Sequence, residues 1–460
     1  MKVLLVKPLS DMHVILLPIG LGYLASYCQK QNPNLELKIL DCHRERFTEE
    51  KFKEYIRNFK PDVIGFTALS MEINSARAFA FYAKQVKSEI VTIIGGPHVS
   101  ALPRTVLADR NVDYVFRGEA EVGFSYFIKH FSSNERLNSP GLGYLKGEDL
   151  IFNDSSVIDE LDDIPFPDYQ KMQFEKYPKM YFMKRFPSAP ILSSRGCPFT
   201  CTFCAGHMVS GRKWRSRSVD NILMEIEYLS RKYNIREINF WDDNFTFDRS
   251  RTEEFCGRFK KLNKHIIWWC PNGVRLETLD KSILVKMKQS GCYSVAFGVE
   301  SGSEKIQQDM KKRISFKKLK EMSEFSHSIG LRTQGFFILG YPTEKEEDIL
   351  ATIKLARTLP FLRASFSLFQ PIAGSEIYQC LVDQKLINEE DAVINACDYS
   401  KANVPTYYIK DLAKIKRLQR KAILGFYFRP KIFLRVLLEN LSLPQIKELI
   451  KIVKYYILER

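Results

Sequence analysis

A chain of 460 residues with 45% hydrophobic and 27% charged side chains is globular in composition and too long for one ordinary core, so two or three domains are expected. No run of about 18 uncharged apolar residues occurs, which argues against a transmembrane helix; ten cysteines, scattered except for three, argue against a disulfide framework and for a reducing cytosol. The formal net charge of +15 favours anionic partners: phosphates, nucleic acid or an acidic membrane face.

The opening stretch Met1–Pro8 is too short in its apolar part for a signal peptide and reads as a first strand. Over residues 1–131, short apolar runs alternate with amphipathic stretches, the pattern of βαβ units in a parallel, Rossmann-like sheet. Strands are expected at Lys2–Val6, Leu35–Leu40, Val63–Thr67, Val91–Gly95 and Tyr114–Phe116, with helices such as Gly22–Gln31 and Ile73–Lys87 between them. The loops Pro18–Gly22, Gly95–His98 and Arg117–Glu119 are rich in Gly or Pro. They fall at or near the carboxyl edge of the sheet, where open α/β folds bind ligands and where glycine lets a bulky group approach the backbone. No G-x-G-x-x-G follows the first strand, so the pattern indicates a cofactor domain without indicating a dinucleotide.

Residues 132–186 read as a linker: 132–155 lack periodicity, and the acidic stretch Ile158–Pro167 is stopped by prolines. Strand and helix signals then alternate over 187–375. Strands fit Ile191–Ser194, Glu237–Trp241, Ile266–Cys270, Ser294–Val299, Thr333–Leu339 and Ala364–Phe369; helices fit Val219–Lys232, Arg251–Leu262, Leu279–Gln289, Phe316–Ser328 and Glu344–Leu359. Six β/α units make a partial (β/α)6 TIM-type barrel, whose chemistry belongs at the carboxyl ends of its strands. There lies Cys197-Pro198-Phe199-Thr200-Cys201-Thr202-Phe203-Cys204, three cysteines at C-x3-C-x2-C spacing. Closely spaced thiolates on one loop can share an iron–sulfur cluster, and three leave one corner of a four-iron cluster open. A zinc ion with His207 as fourth ligand is the plainer reading; Phe203 before the last cysteine favours the cluster. The other strand ends bring Asp242-Asp243, Asn272–Arg275, Gly298–Gly302, Gly340–Glu344 and Gln370–Gly374 towards that loop.

Residues 376–460 form a basic, helical C-terminal region. From Lys401 to Arg460 there are 14 Lys and Arg against 4 Asp and Glu. Lys410–Leu424 and Leu443–Leu458 carry helical apolar spacing around the aromatic-basic break Gly425–Lys431. Such helices either cap the barrel or lie on an anionic membrane surface. Arg212–Arg217 mixes basic residues with Trp214, but no RNA-binding module accompanies it, so nucleic acid is disfavoured as a partner.

Residues 189–375, with the three-cysteine loop and its aromatic residue, resemble the core of the radical S-adenosylmethionine (radical SAM) enzymes. The loops Pro18–Gly22, Gly95–His98 and Arg117–Glu121 are similar to those of the N-terminal cobalamin (B12)-binding domain fused to many of them. The resemblance implies that Cys197, Cys201 and Cys204 hold a [4Fe–4S] cluster. It implies that Phe203, Asp242, Asp243, Arg275, Glu300, Ser301 and Lys312 surround S-adenosylmethionine. Gly20, Gly22, Gly95, Gly96, His98, Gly118 and Glu119 are then the cobalamin contacts. Asp11-Met12-His13 stands near the place of the D-x-H-x-x-G cobalt-ligand loop, yet Leu16 replaces its glycine. An electron passing from the cluster to the sulfonium would release a 5′-deoxyadenosyl radical, able to take hydrogen from an unactivated carbon. The implied function is a cytoplasmic, cobalamin-dependent C-methyltransferase; a radical SAM cyclase or oxidoreductase and a non-catalytic cobalamin or Fe–S sensor are the alternatives. Flavodoxin or ferredoxin is the expected electron donor. The aromatic-Arg-Pro tail resembles that of hopanoid methylases and of the anaerobic tetrapyrrole cyclase, which implies a hydrophobic or anionic small-molecule substrate (lipid, tetrapyrrole or other secondary metabolite); peripheral membrane contact is the expectation that the basic amphipathic helices themselves raise.

Overall fold

The structure, a computed structural model, describes residues 1–10, 14–180, 182–262, 265–388 and 404–439. His13 and the helix expected at Leu443–Leu458 lie outside the described residues.

The first sheet has seven strands in the order β2-β1-β3-β4-β5-β6-β7. β1 (Lys2–Lys7), β2 (Glu36–Asp41), β3 (Val63–Thr67), β4 (Val91–Gly95) and β5 (Tyr114–Phe116) are parallel; the hairpin of β6 (Leu142–Lys146) and β7 (Asp149–Phe152) continues the sheet antiparallel. That hairpin falls in the stretch that reads as aperiodic linker: its strands are short, and β7 is only half buried, so alternation is weak there. Elsewhere burial on both faces explains the unbroken apolar runs. Along β1, Val3 and Leu5 face one core while Leu4 and Val6 face another. The first of these cores continues without a break into the second sheet through Tyr169, Ile191 and Ile238.

The second sheet is parallel throughout, in the order β15-β14-β13-β12-β11-β8. Its strands are β8 (Ser188–Ile191), β11 (Glu237–Phe240), β12 (Ile267–Val274), β13 (Cys292–Glu300), β14 (Arg332–Leu339) and β15 (Arg363–Leu368). β8 begins three residues earlier than the apolar signal suggests, and β12 runs through Asn272-Gly273 by way of a register shift between Cys270 and Val274. Side-chain caps start the intervening helices: Ser218 accepts from the Asn221 amide and Asp248 from the Arg251 amide. Beside β8, β9 (Ser194–Arg195) and β10 (Arg215–Ser216) form a short antiparallel ribbon.

The helix Leu412–Tyr427 covers the edge strand β15. Gln419 Nε2 donates to the Phe366 carbonyl at 2.7 Å, and the Tyr427 hydroxyl pairs with both the amide and the carbonyl of Ala364. No helix among the described residues is long and apolar enough to cross a membrane.

Candidate active site

The cysteine loop runs between β9 and β10 and is pinned at both ends. Gly196 adopts φ +84°, and a Cβ there would sit 2.2 Å from the Lys213 carbonyl oxygen, so only glycine lets the ribbon close. The Cys197 amide donates to the Gly211 carbonyl at 3.3 Å. Farther along, the Thr202 amide donates to the Met310 carbonyl at 3.1 Å, and its hydroxyl pairs with the Tyr341 hydroxyl at 2.8 Å. Phe203 packs against the apolar cluster that holds Met310, Tyr341 and Phe369, so it anchors the loop.

All three thiols are free; Cys197 and Cys201 are half-buried and Cys204 is exposed. Burial raises the Cys197 and Cys204 thiols above their ordinary range: Cys204 is reachable by solvent, yet many protein atoms surround it, as in a recess. Among the described residues no three His, Cys, Asp or Glu side chains converge tightly enough to hold a single ion. Three thiols carried on one loop are the donor set of a four-iron cluster with one open corner. His207 opens the short helix His207–Ser210, where its ring hydrogen-bonds to the Cys204 backbone.

The two adjacent aspartates separate. Asp242 is buried, and its carboxylate accepts from the Ser193 amide at 2.9 Å, the Ser193 hydroxyl at 3.0 Å and the Ser194 hydroxyl at 2.6 Å. It fastens the turn from β8 to β9, a correction to the expectation that it meets S-adenosylmethionine. Asp243 is open, and its carboxylate borders Gly206 as Cys204 Sγ does: a Cβ on Gly206 would lie 3.5 Å from the sulfur and 4.0 Å from Asp243 Oδ2. Surrounding protein raises the Asp243 carboxyl. Ser301 is likewise corrected: fully buried, its hydroxyl pairs with Thr352 at 3.2 Å and accepts from the Ser303 amide at 3.2 Å.

At the end of β13, Glu300 adopts φ +65°, a left-handed conformation that costs a side-chain-bearing residue of order 1 kcal/mol or more. Its carboxylate is 3.1 Å from Lys312 Nζ. Gly298 makes room for this pair, since a Cβ there would meet Glu300 Oε1 at 2.6 Å and Lys312 Nζ at 2.7 Å. Arg275 reaches the same place from β12: its Nη1 donates to Cys201 Sγ at 3.5 Å and its Nη2 to the Lys312 carbonyl at 2.9 Å. Cys201, Arg275, Lys312 and Glu300 are thus one group of contacts.

The carboxyl edge of the first sheet is barer. Gly95, Gly96 and Gly118 are half-buried; Gly96 (φ +101°) lies flush on Thr67 and Ala68, and nothing stands within 3.7 Å of a Cβ on Gly95. Leu69, beyond β3, leaves an apolar side chain 37% exposed beside this edge, a residue that sequence reasoning missed because one leucine after a strand carries no signal. Half-buried glycine backbone with an exposed apolar neighbour fits a broad, flat macrocycle. Gly20 lies in the first turn of the helix Ile19–Gln31 with open space around it. Three other expected contacts are corrected. Gly22 makes room for Met172, whose Cε would be 2.5 Å from its Cβ. His98 is 1% exposed; its Nδ1 pairs with the Ser70 hydroxyl at 3.1 Å, so it supports the loop from beneath.

Glu119, the third, crosses to the barrel. Its carboxylate binds Arg215 through both guanidinium nitrogens and lies 3.1 Å from Arg195 Nη1, while Glu121 holds Arg195 Nη2 at 2.7 Å. Arg195 and Arg215 are cross-strand partners in the β9–β10 ribbon, two like charges that these carboxylates neutralise. All four side chains are nearly closed to solvent. The clasp ties the loop after β5 to the residue two before Cys197. Next to it, the Gly118 Cβ position is 3.4 Å from the Val209 carbonyl oxygen, and the short helices Pro97–Ala101 and His207–Ser210 pack together.

Comparisons agree with this two-part plan. Residues 1–127 match the family model of the B12 binding domain, and residues 191–356 that of the radical SAM superfamily. An uncharacterized methyltransferase of Pyrococcus horikoshii is 30% identical over 452 residues, 96% of this chain and 95% of that one. The cytidylyl-2-hydroxyethylphosphonate methyltransferase of Streptomyces wedmorensis is 29% identical over 453 residues, with 85% of this chain and 84% of that one covered. Among solved structures, the radical S-adenosylmethionine methyltransferase TsrM of Kitasatospora setae, with cobalamin and a [4Fe–4S] cluster bound, superimposes with a TM-score of 0.68 at 16% identity, over 83% of this chain and 75% of that one. Bare sheet edge, three-thiol barrel loop and matching models together place the chain: it belongs to the family of radical SAM enzymes that carry a B12-binding domain, and its cofactors are a [4Fe–4S] cluster, S-adenosylmethionine and cobalamin.

Proposed function

We propose that the chain is a cobalamin-dependent C-methyltransferase acting on an unactivated carbon of a small molecule. The observation that carries this reading is the direct contact between the two cofactor edges: Gly118 against Val209, and Glu119 bound to the arginines that frame the cysteine loop. A methyl group handed between a corrin and a substrate needs both centres held beside one another, and proximity alone can supply a large part of such a barrier.

In this reading Cys197, Cys201 and Cys204 hold the cluster. Asp243, the open carboxylate beside Cys204, takes the amino group of S-adenosylmethionine, and Glu300 with Lys312 borders its ribose or methionyl part. Gly95, Gly96 and Gly118 give the corrin a bare backbone to lie on. When bound, the cluster with S-adenosylmethionine supplies a carbon-centred radical, and cobalamin supplies a methyl-transfer centre. The protein holds these groups in register, and its buried clasp keeps bulk water from the seam between the two edges. The relatives named as methyltransferases support methyl transfer, and the phosphonate substrate in one relative's name accords with an anionic small molecule here.

The test is anaerobic incubation of the reconstituted protein with S-adenosylmethionine, cobalamin, a one-electron reductant (dithionite or reduced flavodoxin) and a panel containing a cytidylylated hydroxyalkylphosphonate, a tetrapyrrole and a hopanoid lipid. The expected result is 5′-deoxyadenosine and S-adenosylhomocysteine together with a product heavier by one methylene. Ring closure or hydrogen loss without methyl gain replaces this reading with the cyclase one. Cobalamin uptake without any S-adenosylmethionine cleavage supports a sensor instead.

A further inference from the structure

We propose that Arg275 acts through Cys201 to set how readily a cluster on this loop accepts an electron. The inference rests on the cluster site described above. The guanidinium lies over Phe199, 3.7 Å from the ring centroid, and Phe199 is itself part of the cysteine loop. Its Nη1 donates to Cys201 Sγ at 3.5 Å, and its Nη2 to the Lys312 carbonyl at 2.9 Å. Nε lies 3.0 Å from a Glu277 carboxylate oxygen, close enough for an ion pair though off the hydrogen-bond line. Four anchors from three directions fix the fork against one particular sulfur.

The electrostatics follow from this placement. Arginine keeps its charge at any working pH, and only 12% of this side chain is exposed, so solvent screens it weakly. Adding an electron makes a cluster more negative. A cationic donor bonded to one of its thiolates stabilises that reduced form and raises the potential. Lys312, the other cation near Cys201, is matched by buried Glu300 at 3.1 Å. The partner of Arg275, Glu277, is 40% exposed, so water weakens its opposing field. Arg275 is therefore the cation whose charge reaches the sulfur with the smaller offset. It is a positioning residue, distinct from the carboxylate contact to S-adenosylmethionine that the family resemblance implies for it.

The experiment compares the reconstituted enzyme with Arg275→Gln, Arg275→Lys and Glu277→Gln. Iron and sulfide content, the cluster's midpoint potential from EPR-monitored redox titration, and S-adenosylmethionine affinity are measured on each. Expected are a full cluster throughout, a more negative potential in Arg275→Gln, a partial return in Arg275→Lys, a more positive potential in Glu277→Gln, and unchanged S-adenosylmethionine affinity. Unchanged potentials in both Gln variants overturn the proposal, as does weakened S-adenosylmethionine binding at unchanged potential in Arg275→Gln. Should Arg275→Gln lose its cluster, Glu277→Gln decides alone, since the shift must then have the opposite sign. Absence of iron and sulfide from the unaltered protein defeats the cluster reading itself, a different failure.

Discussion

At the carboxyl edge of the first sheet the chain withdraws its side chains, leaving Gly95, Gly96 and Gly118 with Leu69 beside them. At the corresponding edge of the barrel it crowds them, with Asp243, Arg275, Glu300 and Lys312 drawn round three thiols. A broad macrocycle needs surface and shape, and bare backbone supplies both. A charged cluster and a zwitterionic cofactor need fixed charges of known sign, and those have to be held by partners when buried. The clasp of Glu119, Glu121, Arg195 and Arg215 stands where these two kinds of construction meet.

The contrast breaks most completely at the thiols. Cys201→Ala removes one corner of the cluster while leaving the bare edge intact, so iron content and S-adenosylmethionine cleavage fall to background and cobalamin uptake persists; absorption spectra report both. Next comes the clasp. Glu119→Ala leaves Arg215 and Arg195 buried with one carboxylate between them, a change expected to cost about 3–5 kcal/mol in denaturant unfolding.

The third prediction concerns pH. Burial, with Arg77 adding to it, lowers His98 to about 4 from its usual 6.5. The folded state therefore resists protonation that the unfolded chain accepts. Stability from this group is complete above pH 6.5 and is lost as pH falls towards 4, by up to about 3 kcal/mol. His98→Gln should flatten that slope in pH-dependent melts, and an unchanged slope would falsify the assignment. The smallest effect is Gly118→Ala, at φ +74° with a 3.4 Å contact: about 1 kcal/mol of stability, with weaker cobalamin binding and normal cluster content sharpening the distinction between the edges.

Much of the fold was legible in the sequence. Val63–Thr67, Val91–Gly95 and Phe316–Ser328 lie where periodicity puts them, because both-face burial and helical spacing are properties of the local pattern. The hairpin β6–β7 was not legible, since its strands are short and only partly buried. The three cysteines announce themselves by spacing. The division of labour between Asp242 and Asp243 does not, because it depends on Ser193 and Ser194, brought alongside by the β8–β11 pairing. Glu119 reads as a cofactor-loop residue in sequence, and only the approach of the β9–β10 ribbon shows that its charge is already taken.

The helix Leu412–Tyr427 has a consequence for handling the protein. By giving Gln419 and Tyr427 to the backbone of Phe366 and Ala364, it closes the row of open amides and carbonyls that β15 offers. A chain shortened to residue 411 would keep every thiol and every glycine of the two cofactor edges, yet carry an adhesive strip along one flank. Its copies would join strand to strand, and light scattering would register polymers before any assay registered lost chemistry.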